Sequence, residues 1–207
     1  MYYKKSCMNN QSKRLKNALE QFVPAQTVSE MTKQFEQIAQ IVFNGRFVVN
    51  NEYEIYPIEI EFYFNDEEHS SIIDPQMYHV GNKVPYFPIG SVCPNRSGVD
   101  VTFEREGKYR VSFLIRGYMY KSIIEGEEET FVNRDDKDPM VFKPQYLWDD
   151  LFGNASVLDK GLSVCWVDNE DYKEVRMKSA PRIHVDIVKG ETEDRLWRFT
   201  NLDMAEV

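Results

Sequence analysis

Apolar residues recur with a helical period near the start of the chain. In "TVSEMTKQFEQIAQIVF" (27–43) they follow a 3.6-residue spacing, and Thr27 with Glu30 three residues later forms the capping-box pattern of a helix start. Gly45 comes shortly after the last periodic residue, as is usual where a helix ends. A second stretch, 9–22, also has a helix-forming composition. The pattern therefore predicts two helices before residue 45.

Beyond Gly45 the pattern changes to runs of apolar and aromatic residues typical of strands. The predicted strands cover 46–51, 53–64, 98–104, 109–120, 182–188 and 196–200. Turn residues at 106–108 and in "NNEY" predict hairpins, whereas 74–97 and the acidic stretch 121–139 are predicted to be loops. One further short helix is predicted over 144–153. Helices followed by strands indicate the α+β class, with a curled, mostly antiparallel β-sheet and peripheral helices.

Length, hydropathy and cysteine content narrow the class of protein. A chain of 207 residues suits one domain, and we expect an N-terminal helical extension over 1–26 and one α+β domain over 27–207. No stretch approaches the roughly 18 apolar residues of a membrane helix, and the first residues lack the apolar segment of a signal peptide. Cys7, Cys93 and Cys165 are odd in number and far apart, which favours free thiols in a reducing compartment. We therefore expect a cytoplasmic protein that makes no membrane contact.

The charge weighs against a general nucleic-acid binder. Net charge is -9 and the sequence pI is near 5.0, whereas affinity for nucleic acid comes mainly from lysine and arginine on phosphates. The charge is unevenly distributed, because residues 1–16 carry five Lys or Arg and no acid. A local basic face therefore stays open as a hypothesis.

The segment "YPIEIEFYF" (56–64) holds two carboxylates in an apolar stretch. Residues two apart share one face of a strand, so Glu59, Glu61 and Tyr63 point one way while Ile60 and its apolar neighbours point the other. The simplest interpretation is a solvated polar face of an antiparallel sheet. The sharper hypothesis is a carboxylate in a cleft that acts as a general base or stabilises a cation.

Other chemical patterns are weak. His69, His79 and His184 lie near acids, but their spacing matches no known metal geometry, and solvated loops are the simpler interpretation. No phosphate loop, dinucleotide fingerprint or serine nucleophile elbow is present. We therefore predict no metal and no cofactor.

Four fragments, in order, resemble the methylpurine-DNA glycosylase (alkyladenine or 3-methyladenine DNA glycosylase) family of base-excision enzymes. They are "FEQIAQIVFNGRFVV", "IEIEFY", "SFLIRGY" and "APRIHVDIVKGETEDRLWRF", which together span roughly residues 30–199. The resemblance implies a glycosylase-like α+β domain and hydrolysis of the bond between a modified base and its sugar. Because that reaction builds positive charge on the sugar, a fixed carboxylate and an aromatic surface for the extruded base suit it.

The resemblance also implies roles for five residues. Glu61 matches the residue that activates the attacking water, and Arg116 matches the arginine beside that water. Tyr63 matches the aromatic surface on which the base stacks, and Asp100 falls near an asparagine that screens bases. Glu59, two residues before Glu61, is predicted to belong to the substrate-binding set.

Two departures from the family pattern leave two hypotheses open. No tyrosine or apolar wedge is evident between Phe87 and Asp100, where the family intercalates into duplex DNA, and the chain is acidic. The first hypothesis is an N-glycosylase-like hydrolase acting on DNA or on a single-stranded or smaller substrate. The second is a non-catalytic member of the same fold that binds a small ligand, such as a nucleobase or nucleoside, or a protein.

Overall fold

The computed structural model describes residues 13–77, 85–95, 98–122, 129–152, 158, 161–183, 185 and 194–205. The helices of this part are α1 (Lys13–Glu20), α2 (Val28–Val42), α3 (Tyr146–Phe152) and α4 (Leu202–Ala205). Its strands are β1 (Gly45–Val49), β2 (Tyr53–Asp66), β3 (Ser91–Asn95), β4 (Gly98–Thr102), β5 (Tyr109–Ser122), β6 (Thr130–Val132), β7 (Val164–Asp168), β8 (Met177–Ala180) and β9 (Arg198–Asn201). The chain is a single-domain α+β protein, as predicted.

The strands form one antiparallel sheet around two long central strands. The main path runs β3-β4-β5-β2-β1-β7, with β6 paired to β5, β9 paired to β2, and β8 paired to β9. β2 and β5 pair along most of their 14-residue lengths. The sheet curls into a half-barrel, since strands from both ends of this path line one cavity. The predicted curled antiparallel sheet is confirmed.

The predicted hairpins are also present. Asn50 and Asn51 connect β1 to β2 with φ angles of 52° and 57°, which asparagine tolerates better than most residues. Gly107, in the turn before β5, has φ of 68°, the left-handed region that glycine enters without steric cost.

Helix α2 closes the apolar face of the sheet. The Thr27 hydroxyl accepts a hydrogen bond from the Glu30 backbone N–H at 3.3 Å and donates to the Glu30 carboxylate at 2.8 Å, so the predicted cap is confirmed. The buried side of the helix includes Phe35, whose ring stacks on Phe62 of β2 with centroids 4.3 Å apart. Burial of these apolar rings is the main stabilising contribution in this layer.

The chain before residue 27 packs on the same core. Leu15 and Leu19 of α1 are buried, and Phe22 contacts the ring of Phe103 edge to face at 5.1 Å. The helix predicted over 9–22 is present over Lys13–Glu20, and residues 9–12 lie outside the described part.

The loop predictions for 74–97 and 121–139 are wrong in part, because these segments contain β3 and β6. Two further strands, β7 and β8, were not predicted. All four are short strands at sheet edges, where few side chains are fully buried and no clear alternation develops. β3 also contains Pro94, which sheets accept mainly at an edge.

The strand predicted over 182–188 is wrong for residues 182, 183 and 185, which belong to no strand. The rest of that range lies outside the described residues. The last predicted strand, 196–200, is present as β9, and the helix predicted over 144–153 is present as α3.

The cysteines differ from the expectation of free thiols. Cys93 is free and buried, but Cys165 is disulfide-bonded, so the prediction is wrong for Cys165. The cysteine content therefore no longer supports a reducing compartment, and a cytoplasmic location stays a prediction. Within the described part of the chain, no helix is both long and apolar enough to cross a membrane.

Candidate active site on the polar face of the sheet

One face of the sheet carries a set of polar side chains from four strands. Asp100, Leu114 and Glu61 are direct neighbours across β4, β5 and β2, and Glu61 also pairs with Arg198 of β9. Directly opposed residues in an antiparallel sheet project to the same side. We call this the polar face; its members are Glu59, Glu61, Tyr63, Asp100, Ser112, Arg116, Arg198 and Thr200.

The two glutamates of the polar face are not solvated. Glu59 is 4% exposed and Glu61 is 0% exposed, so the interpretation of a solvated polar face is wrong. Segments distant in sequence cover this side: the backbone N–H of Ile183 reaches the carboxylate of Glu61. A buried carboxylate needs donors or a cation, because its desolvation is otherwise too costly.

Arg116 lies between the two glutamates. Its Nε is 3.3 Å from Oε1 of Glu59, and its Nη1 is 3.4 Å from Oε2 of Glu61. The register between β2 and β5 shifts on both sides of Glu59. Glu59 is also paired with Nη1 of Arg198 at 3.0 Å and accepts from the Thr200 hydroxyl at 2.9 Å. Two guanidinium groups therefore balance two carboxylates in the centre of the face.

Glu61 accepts hydrogen bonds on both carboxylate oxygens. The backbone N–H of Ile183 donates to Oε1 at 2.8 Å, and the Tyr63 hydroxyl donates to Oε2 at 2.9 Å. Burial raises the pKa of Tyr63 well above its ordinary value, and the negative charge of Glu61 adds to this shift. Tyr63 therefore remains a protonated donor at neutral pH.

Two arginines and an aspartate behind Tyr63 were missed by the sequence analysis. Arg182 and Asp74 are both buried and form a two-point ion pair at 2.6 and 3.2 Å. Arg195 approaches the same aspartate at 3.5 Å. The Arg182 guanidinium also lies 4.6 Å from the centre of the Tyr63 ring and covers one of its faces. The signal in the sequence is the arginine within the apolar "APRIHV", although no pattern links it to Asp74.

Asp100 lies on the same face, beyond Leu114. It is 2% exposed, and the Ser112 hydroxyl donates to its Oδ1 at 3.1 Å. Burial raises the pKa of Asp100 to about 7; the Ser112 hydrogen bond opposes this shift and the negative charge of Glu61 adds to it. Asp100 is therefore a carboxyl group that changes charge near neutral pH.

The structure thus brings the predicted residues together on one face. Glu59, Glu61, Tyr63 and Arg116 form one contact network, while Asp100 is one strand pair away from Glu61. The arrangement can hold a polarised water or a developing cation beside a fixed carboxylate, within surroundings of low dielectric constant.

His69 is not part of this network. His69 lies on an exposed turn, 3.9 Å from the neighbouring Glu68 carboxylate, whereas His79 and His184 lie outside the described residues. Among the residues that the structure covers, no three His, Cys, Asp or Glu side chains form a group suited to a metal ion.

Comparison of the chain with protein-family models and with curated proteins gives no match. The glycosylase resemblance accordingly remains an expectation from the sequence.

Proposed function

We propose that this protein is an N-glycosylase-like hydrolase that removes or binds a modified purine base, with a water activated by Glu61. The observation that carries the proposal is the convergence of Tyr63, Arg116 and the Ile183 N–H on the buried Glu61 carboxylate. Glu54 on the same strand meets an arginine and a tyrosine in a similar way but is partly exposed, so the complete burial of the Glu61 group is what supports a chemical role here.

The hydrogen-bonding capacity of Glu61 is compatible with this role. An ionised carboxylate has about four acceptor positions, and three donors reach Glu61 among the described residues. A further position can accept a hydrogen bond from water. In the reaction, the water oxygen attacks the sugar carbon, the carbon–nitrogen bond breaks, its electron pair leaves with the base, and the water proton passes to Glu61.

Arg116 and Tyr63 support the carboxylate in different ways. Arg116 contacts both Glu59 and Glu61, so it holds the two negative charges in one position. Tyr63 donates its hydroxyl to Glu61, while one face of its ring is covered by Arg182. A base that stacks on Tyr63 would therefore use the opposite face of the ring. Asp100 would contact the base, since it lies on the same face of the sheet.

The class of substrate that we expect follows from the net charge of the chain and from the missing intercalating residue. A net charge of -9 disfavours long-range attraction to duplex DNA, and no tyrosine lies between Phe87 and Asp100. Single-stranded DNA, or a nucleoside, needs neither duplex intercalation nor a broad basic surface. We therefore expect release from single strands to be at least as fast as release from duplexes.

A second candidate function is non-catalytic binding of a nucleobase, nucleoside or protein by the same face. The complete burial of Glu61 favours it, because a catalytic carboxylate must be reached by water and by the sugar.

Base release from alkylated DNA separates the two candidates. Purified protein is incubated with double- and single-stranded alkylated DNA, and free bases are quantified by chromatography. We expect release by the wild type and at least about a 100-fold loss in Glu61→Gln, since a general base contributes at least that much.

Glu54→Gln is the matched control for this experiment. Glu54 lies on the same strand, pairs with Arg46 at 2.7 Å and accepts from the Tyr56 hydroxyl, but lies outside the proposed site. This variant is expected to keep wild-type release. Folded wild-type protein that releases no base from either DNA would contradict the hydrolase proposal, and binding of nucleobases and nucleosides would then be measured.

A further inference from the structure

A cavity of about 230 Å³ lies beneath α1, on the apolar side of the sheet. Its walls come from both ends of the sheet path: Val92 and Val101 belong to β3 and β4, whereas Phe47 and Trp166 belong to β1 and β7. Val101 follows Asp100 along β4 and so points away from the polar face. We call this space the α1 cavity, and the residues that define it here are Leu19, Phe47, Ile89, Val92, Val101 and Trp166.

The walls of the α1 cavity are mainly hydrocarbon and include two aromatic rings. Phe47 and Trp166 meet edge to face, with centroids 4.8 Å apart and an interplanar angle of 82°. The indole N–H of Trp166 donates to the Asp168 carboxylate at 3.2 Å, so the polar atom of this ring already has a partner. A water needs two to four polar partners to be held in a cavity, which these walls hardly supply.

The charged lining residues balance each other. Lys16 and Glu20 lie one helical turn apart on α1, with their charged atoms 3.8 Å apart, and both side chains are largely exposed. A charged ligand would lose its hydration on entering the cavity. The charged side chains in this lining already pair with each other, so they would compensate that loss poorly. The cavity therefore favours a neutral molecule.

The turn before β3 forms the solvent side of the cavity. Ile89 is 37% exposed, and Gly90 has φ of 80° with its N–H bonded to the Thr102 carbonyl at 2.7 Å. A Cβ at Gly90 would meet no atom within 4 Å. The space beside Gly90 is therefore open on this side of the cavity.

We propose that the α1 cavity is a binding site for a small neutral aromatic molecule of one or two rings. Its volume exceeds that of an apolar protein cavity of about 150 Å³ that binds benzene, so a bicyclic ring fits the space. The edge-to-face geometry of Phe47 and Trp166 provides a further aromatic contact. The site is on the opposite side of the sheet from Glu61, so it does not depend on the proposed hydrolase function.

Calorimetric titration with indole and two charged relatives tests the site. Indole is neutral, indole-3-acetate carries a negative charge and tryptamine a positive one, while all three share the same ring. We expect indole to bind with a Kd of about 1 mM or tighter and both relatives to bind at least about tenfold more weakly. Folded wild-type protein that binds no indole, or binds the charged relatives equally well, would overturn the proposal.

Val92→Phe and Leu19→Ala test whether indole binds in the α1 cavity, and Val141→Phe controls for the added aromatic ring. Val92→Phe adds bulk to the cavity wall and is expected to weaken indole binding at least about tenfold. Val141→Phe makes the same substitution at an exposed position away from the cavity and is expected to bind indole like the wild type.

Leu19→Ala is the alternative test of the binding site if the Val92→Phe protein does not fold. It enlarges the cavity and is expected to strengthen binding of naphthalene relative to indole. Unchanged indole binding in Val92→Phe, or an unchanged preference in Leu19→Ala, would show that indole binds elsewhere and would contradict the proposal.

Discussion

Strand β2 contains two Glu-x-Tyr pairs that share one local arrangement. In the outer pair the Tyr56 hydroxyl donates to Glu54, and in the inner pair the Tyr63 hydroxyl donates to Glu61. Each glutamate also contacts one arginine from a neighbouring strand: Arg46 contacts Glu54, and Arg116 contacts Glu61. Judged by sequence spacing and by the tyrosine and arginine contacts alone, the two pairs would be equivalent.

Their surroundings make them different. The Arg46 and Glu54 side chains are 24% and 16% exposed, so water shares in solvating that ion pair. Glu61 is fully buried, and its arginine also serves the buried Glu59. The comparison teaches that the local motif supplies a carboxylate with a tyrosine donor, whereas burial decides whether its charge is strongly coupled to its neighbours.

The largest stability difference between the pairs is expected from their arginines. Arg116→Met leaves a buried carboxylate without its cation, and removal of one partner from a buried ion pair costs about 3–5 kcal/mol. Arg46→Met removes a partly exposed partner, for which about 1 kcal/mol or less is expected. Urea unfolding of both variants and the wild type measures the free energies. Equal losses in the two variants would show that burial does not distinguish the pairs.

An effect that is spread over the range between pH 4 and 7 is expected from Asp100, which lies near the inner pair only. Because the pKa of Asp100 is raised from 3.8 to about 7 in the folded protein, the folded state binds more protons than the unfolded state between these values. The contribution of Asp100 to stability is therefore most favourable below pH 4. It falls by up to about 1.4 kcal/mol per pH unit as the pH rises toward 7, and it is constant at higher pH.

Asp100→Asn tests this pH dependence. The difference in unfolding free energy between the variant and the wild type, measured from pH 4 to pH 8, is expected to shift in favour of the variant as pH rises. Other carboxylates titrate in both proteins and largely cancel in the difference. A difference that is constant across this range would contradict the raised pKa.

The smallest expected effect concerns the two tyrosine hydroxyls. Tyr63→Phe leaves an oxygen of the buried Glu61 with one donor fewer and is expected to cost about 1–3 kcal/mol, whereas water can replace the donor at Glu54 in Tyr56→Phe, for a loss of about 1 kcal/mol or less. Thermal unfolding of the two variants gives the comparison. A greater loss in Tyr56→Phe would reverse the ranking of the pairs.

Periodicity in the sequence determined the regular elements and the direction of their side chains. The Thr27 cap, helix α2 and strands β2 and β5 follow from local spacing, because a helix and a long strand each repeat their own geometry. The same argument puts Glu59, Glu61 and Tyr63 on one side of β2. The edge strands β3, β6, β7 and β8 escaped prediction, since their pairing depends on neighbours rather than on a pattern of their own.

Only the tertiary structure decided that this side of β2 is buried and what meets it. The N–H that reaches Glu61 belongs to Ile183, 122 positions along the chain, and Arg182 beside it pairs with Asp74, 108 positions away. Local spacing carries no information about such distant partners, because they are selected by how the curled sheet and its covering segments pack. The sequence by itself therefore determined which side chains could act together, and the packing determined which of them are removed from water and coupled by their charges.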